Sequence, residues 1–121
     1  MTSTATRPAA APTAASAPRF DMYAAIHKAL RHFMTDTLHR IGRMDVADAD
    51  DLARSLRQLD ALLTLCSEHI DHENRFVHAA IEARQPRGAS RTADDHIEHL
   101  DSIDALRAEA HALAAAPATE R

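Results

Sequence analysis

Turn formers and strand formers are both scarce in this chain of 121 residues. Gly42 and Gly88 are the only glycines, tryptophan is absent, and the aromatic residues are limited to Phe20, Tyr23, Phe33 and Phe76. The 45% of residues that are hydrophobic come mainly from Ala and Leu. Such an inventory suits helices and argues against sheets. A single cysteine, Cys66, excludes an intramolecular disulfide framework and fits a reducing compartment. Basic charge is not in surplus either. The formal net charge is −4, with acids and bases interspersed. A phosphate backbone would find no electropositive stripe, and the few aromatics give bases no stacking platform. Nucleic acid is therefore not an expected partner. No uninterrupted apolar run has the length of a membrane span or the form of a signal peptide. The expectation is a soluble, cytoplasmic protein with no membrane partner.

Residues 1–19 begin "MTSTATRPAAAPTAASAP", a stretch of Ala, Pro, Thr and Ser. It cannot bury enough apolar surface to offset chain entropy and reads as a disordered tail. Residues 20–116 are then expected to form one helical unit, near the lower size limit for a self-sufficient core.

From Asp21 to about Arg43 the residues Met22, Tyr23, Ile26, Leu30, Phe33, Met34, Leu38 and Ile41 recur at helical spacing, with Asp21 as N-cap. A second helix opens near Asp48 or Asp50 and continues to about Ala83 through Leu52, Leu56, Leu59, Leu62, Leu63, Leu65, Phe76, Val77 and Ile81. At about 1.5 Å per residue it would be about 50 Å long. Gln85-Pro86-Arg87-Gly88 breaks the pattern, and Ser90 or Thr92 can cap a third helix running to about Ala115, stopped by Pro117. Short connections between long amphipathic helices imply antiparallel neighbours. The fold class is all-α, an antiparallel up-down helix bundle with three long helices. No internal repeat of solenoid length is present.

Nine histidines raise the question of which ones face inward. Each residue advances about 100° around an α-helix, so every side chain can be placed relative to the apolar arc. His27 falls within the arc of the first helix, and His32 and His39 fall opposite it. On the second helix His69, Glu73, Phe76 and Ala80 form a stripe continuing through Leu62, Leu65 and Cys66. His78 is expected about half a turn away, and His72 lies at the margin. On the third helix His96 and His99 share an arc with Leu100, Ile103 and Leu106, with His111 marginal. Each helix thus offers an inward imidazole, and the second adds the inward carboxylate of Glu73.

A carboxylate taken from water without a partner costs several kcal/mol or is driven to protonate, and a metal cation removes that penalty. His69 and Glu73, at i and i+4, set a nitrogen and an oxygen donor on one face, a mixture suited to iron, manganese or zinc. The competing structural account has Glu73 half exposed and paired with Arg75 or an arginine of another helix. Three inward histidines on three helices favour the cation. Other motifs are weaker. A zincin would need histidine where Phe76 stands, three residues after Glu73. Cys66 and His69 could share zinc, but a lone cysteine on a Leu-rich face more often belongs to a core.

The segments "IHKALR" (26–31), "HIDHENRFVHAAIEAR" (69–84) and "DDHIEHLDSIDAL" (94–106) resemble the hemerythrin-like (HHE cation-binding) domains of bacterial type. Together they cover nearly all of the expected helical unit. The resemblance implies an antiparallel four-helix bundle holding two non-haem iron ions. Its ligands carry over to His27, His69, Glu73 and His96, with the glutamate bridging the metals and an open position left for dioxygen, nitric oxide or a peroxide. A turn centred near Arg87 would bring the level of Glu73 nearer His99 than His96. The alignment favours His96, and the assignment follows it.

The chain reaches Arg121 just after the third helix. The family's fourth wall is therefore expected from another chain or a longer form, as a homo-oligomer or a partner helix docking in a groove lined by Leu30, Leu62, Ile103 and Leu106. The function expected is iron-dependent sensing, storage or carriage of a small diatomic ligand, without turnover of an organic substrate. The alternatives are a metal-free helical interaction or oligomerisation module, and an oxidoreductase consuming peroxide or ferrous ion.

Overall fold

A computed structural model describes residues 19–121, so the expected tail lies, but for Arg19, outside the described residues. Helix α1 (Met22–Gly42) is followed by α2 (Ala49–His72), a π-helical turn (Glu73–His78), α3 (Ala79–Glu82) and α4 (Ser90–Ala115). The described residues contain no strand. No helix among them is long and apolar enough to cross a membrane.

The first two helix starts follow the expected caps. Asp21 accepts hydrogen bonds from the backbone N–H groups of Tyr23 and Ala24, and Asp48 from those of Asp50 and Asp51. These are the N–H groups that a helix cannot satisfy from within itself. The third start differs from expectation. Its cap position is Ala89, and neither Ser90 nor Thr92 caps it. Glu82 does this work from across the turn, its two carboxylate oxygens accepting from Arg87 N–H (2.6 Å) and Ala89 N–H (2.9 Å). Arg87 has φ 66°, in the left-handed region. That conformation costs an L-residue about 1–2 kcal/mol, and it lets the chain reverse within a few residues.

Pairings between helices fix their directions. Gln58 on α2 donates to Asp36 and Thr37 on α1 (2.7 and 3.2 Å), and further along α2 His69 meets His27. Position therefore rises on one helix as it falls on the other. Likewise Arg107 on α4 donates to Thr64 (3.1 Å), while His96 bonds Asn74. Helix α2 packs antiparallel against both α1 and α4.

Leu63, Ile70 and Ile103 form the central apolar cluster, with Leu59, Cys66 and Leu100 against it. Cys66 thus packs, half-buried, against the core, and burial pushes its thiol above the ordinary pKa. Of the residues expected to line an open groove, Leu30, Leu62 and Ile103 are buried and only Leu106 is exposed. They are covered because α2 meets a neighbour on each side. The exposed apolar side chains include Met34 and Leu38 on α1, Leu65 on α2, expected in its inward stripe, and Ile97 and Leu106 on α4.

The long second helix expected to reach Ala83 is interrupted by the π turn. Backbone angles stay in the right-handed region through His72, Glu73 and Ala79, so the helical path is continuous while its winding loosens. An i→i+5 turn rotates less per residue than an i→i+4 turn, and it re-aims every side chain that follows.

Candidate metal centre

Glu73 opens the π turn and is buried at 7% exposure, with an imidazole facing each end of its carboxylate. Oε1 lies 3.3 Å from His69 Nε2 and 3.7 Å from His27 Nε2. The two imidazole nitrogens are 3.1 Å apart. Oε2 lies 3.2 Å from His96 Nε2 on α4. The carboxylate is therefore the meeting point of α1, α2 and α4.

These spacings can be tested against a cation. With metal–donor bonds of about 2.0–2.1 Å, neighbouring donors in octahedral or tetrahedral geometry stand about 2.8–3.4 Å apart. The distances of 3.1, 3.3 and 3.2 Å fall in that window, and 3.7 Å lies just outside it. Imidazole nitrogen and carboxylate oxygen are also the donor types that iron, manganese and zinc accept.

The hydrogen bonding of His96 adds a second argument. Its Nδ1 lies 2.7 Å from Asn74 Oδ1, an oxygen that can only accept. Nδ1 therefore carries the proton. Burial pushes the imidazole below its ordinary pKa, neighbouring His78 pushes the same way, and Glu73 pulls against them. A neutral His96 in this tautomer presents the lone pair of Nε2 to a carboxylate oxygen. Either a proton on Nε2 donated to the carboxylate or a bound cation satisfies both atoms across that 3.2 Å. A second hydrogen bond fixing tautomer and ring direction is the usual company of a metal-bound histidine.

The surroundings of Oε1 are more open. Met22, Tyr23, Ile26, Phe76 and Val77, with His69 and His72, line a cavity of about 190 Å³ that reaches Glu73. Tyr23 stacks on His27, with ring planes 6° apart and centroids 5.5 Å apart. Burial raises the Tyr23 phenol above its ordinary pKa, and the Glu73 carboxylate adds to the effect. Tyr23 consequently stays neutral beside the carboxylate.

All four residues assigned from the sequence, His27, His69, Glu73 and His96, meet at this point. His99 and His72, the alternatives for helix three and for the margin of the stripe, are exposed. So are His32 and His39, as their place opposite the apolar arc implies. Two expectations are corrected. Phe76, expected inside, is 64% exposed, whereas His78, expected about half a turn away, is buried at 8%. Both reversals come from the π turn. Five α-helical residues leave Glu73 and His78 about 140° apart, but an i→i+5 turn brings the fifth residue round to nearly the same face. The same loosening turns Phe76 outward. Position counting at 100° per residue contains no signal for such a turn.

No protein-family model, curated protein or solved structure matches the chain.

Proposed function

We propose that this chain is a hemerythrin-like, non-haem iron-binding helical bundle. Its role is to sense, store or carry a small diatomic ligand such as dioxygen or nitric oxide, without turning over an organic substrate. The observation that carries the reading is the approach of His96 Nε2 to Glu73 Oε2 at 3.2 Å while His96 Nδ1 bonds Asn74. Burial disfavours a proton as the charge between them, and a metal cation satisfies both acceptors. Iron is named because the sequence resembles a family that uses it, and imidazole with carboxylate suits it.

When bound, iron supplies a redox-active centre with an exchangeable position. The residues of the chain have separate tasks. His27 and His69 would hold metal at one oxygen of the Glu73 carboxylate, and His96 at the other. Asn74 orients His96, and Tyr23 steadies the His27 ring by stacking. Met22, Ile26, Phe76 and Val77 give the cavity beside Glu73 an apolar lining, suited to a small uncharged ligand.

A second reading, a metal-free helical interaction module, rests on a different observation. Leu38 is 69% exposed on α1 and Ile97 is 61% exposed on α4, side chains that a further helix or a second copy of the chain would cover. The two readings separate by elemental analysis of protein expressed with iron supplied. The iron-binding reading expects His69→Ala and Glu73→Ala to lose most of the iron that wild type and the exposed-site control His39→Ala retain. Equal iron in all four proteins would overturn the site assignment, and none in any would leave only the interaction module.

A further inference from the structure

Helices α1 and α4 each pack on α2 and hardly on each other, so the side of the molecule between them has two walls and no cover. Both run antiparallel to α2 and are therefore parallel to one another. Around α1, Met34 and Leu38 fall within about 20° of His27, on the side that His27 turns to Glu73. They are 49% and 69% exposed. On α4 the right-handed winding puts Leu106, 44% exposed, and half-buried Leu113 on the side nearer α1, while Arg107 turns the other way to Asp60 and Thr64 on α2. The two apolar strips overlap in height. Counted from the level of Glu73, Met34 and Leu38 stand about 10 and 16 Å along α1, and Leu106 and Leu113 about 15 and 25 Å along α4.

Charge distinguishes the two walls. Helix α1 carries Lys28, Arg31 and Arg40 against the single acid Asp36. Helix α4 carries six acidic residues, Glu98 and Glu109 among them, against Arg91 and Arg107. Lys28, Arg31, Glu98 and Glu109 are exposed, and no ion pair among the described residues engages them. The core enclosed by one chain is also small, a central cluster of Leu63, Ile70 and Ile103. Short chains with so little core commonly complete it by association.

We infer that a second copy of this chain covers the face between α1 and α4, as a two-fold dimer whose axis runs along the helices, so that α1 of each copy lies on α4 of the other. This does not rest on the metal-binding reading, and it gives the exposed strips of α1 and α4 one occupant. A partner for this face must offer acid to α1 and base to α4, with apolar side chains between, and the chain itself carries both walls at that spacing. A two-fold makes each contact twice. This axis sets Met34 against the partner's Leu106, and joins the basic wall to the acidic one on both sides. An axis across the helices would instead put α1 on α1 and α4 on α4, and like charges meeting at an interface oppose association.

The test is sedimentation equilibrium of the full chain, with disulfide trapping to locate the axis. Wild type is expected to be a dimer that weakens as sodium chloride rises, because the attraction between the walls is screened. A chain with Lys28→Glu and Arg31→Glu, and another with Glu98→Lys and Glu109→Lys, should each dimerise at least about tenfold more weakly, yet pair with one another when mixed. Far-ultraviolet circular dichroism checks that each is helical. For the axis, Met34→Cys and Leu106→Cys chains, both also carrying Cys66→Ala, are oxidised separately and together. Only the mixture should give a cross-linked dimer. A wild type that is monomeric at every concentration, a dimer that tightens with salt, or a disulfide dimer of Met34→Cys alone would each overturn the inference. None of these outcomes bears on iron content, so the metal-binding reading stands or falls separately.

Discussion

His78 and His96 lie face to face, ring centroids 4.9 Å apart and planes 11° from parallel, although they are carried by different helices and separated by the reversal at residues 83–89. The relationship depends on two local features. The π turn swings His78 onto the face of Glu73, and the Glu82 clamp on Arg87 and Ala89 fixes where α4 begins. The same two features bring His96, and not His99, to the level of the Glu73 carboxylate.

Asn74 is the side chain through which His96 can be tested without touching a donor. Replacing Asn74 with Leu removes the acceptor for Nδ1 and frees the ring to rotate or change tautomer. Loss of such an outer partner typically lowers metal affinity about 10–100-fold. Competition with a chelator should show that drop for Asn74→Leu, while helix content by circular dichroism stays that of wild type.

The turn before α4 carries a pH dependence with a definite sign. Hydrogen bonds from the Ala89 and Arg87 N–H groups, in that order of weight, hold the Glu82 carboxyl below its ordinary value. A carboxyl whose folded pKa is depressed binds fewer protons when folded than when unfolded, so it stabilises the fold above its unfolded value of about 4.3. That contribution is lost as pH falls through the lower folded value. Thermal melts of wild type and Glu82→Gln should therefore differ most near neutral pH and converge in acid. A constant gap down to pH 2 would show that the clamp owes nothing to the charge.

Much of the helical layout is legible in the sequence because its causes are local. Asp21 and Asp48 are capping residues followed by periodic apolar positions, and Pro86 and Gly88 end a pattern that resumes after them. The grouping of His27, His69 and Glu73 is legible too, because these positions fall in or beside apolar arcs, but periodicity leaves His96 and His99 on the same arc and the choice of His96 comes from the family resemblance. What the sequence conceals is a change of winding. Nothing in "ENRFVH" marks an i→i+5 turn, yet six residues wound that way bury His78 and expose Phe76. The capping of α4 by Glu82 is hidden for a similar reason. It acts seven residues upstream of Ala89, across a reversal, where a local search for Ser or Thr cannot find it. The burial of Leu30, Leu62 and Ile103 follows from which helices meet, which periodicity on any one helix does not specify.

Gly88 is fixed by space. A Cβ built there would stand 2.8 Å from Ile81 Cγ2 and 2.9 Å from the backbone oxygen of Gln85, the oxygen that accepts the Gly88 N–H. Ile81 can move, but the carbonyl is held in the turn. Gly88→Ala should destabilise the fold by about 1–3 kcal/mol, the usual range for overpacking. Chemical denaturation would measure it as a lower midpoint with an unchanged slope.

The central claim is that the Glu73 carboxylate exists to hold metal between helices. Anomalous diffraction at the iron absorption edge from iron-loaded crystals of the full chain tests it most directly. The account predicts an anomalous peak about 2.0–2.2 Å from a Glu73 carboxylate oxygen, the distance expected of a metal–carboxylate bond, with the His27 and His69 nitrogens or the His96 nitrogen turned toward it. Iron located only at the exposed His32, His39 or His99, with the Glu73 carboxylate hydrogen-bonded to imidazole alone, would contradict it.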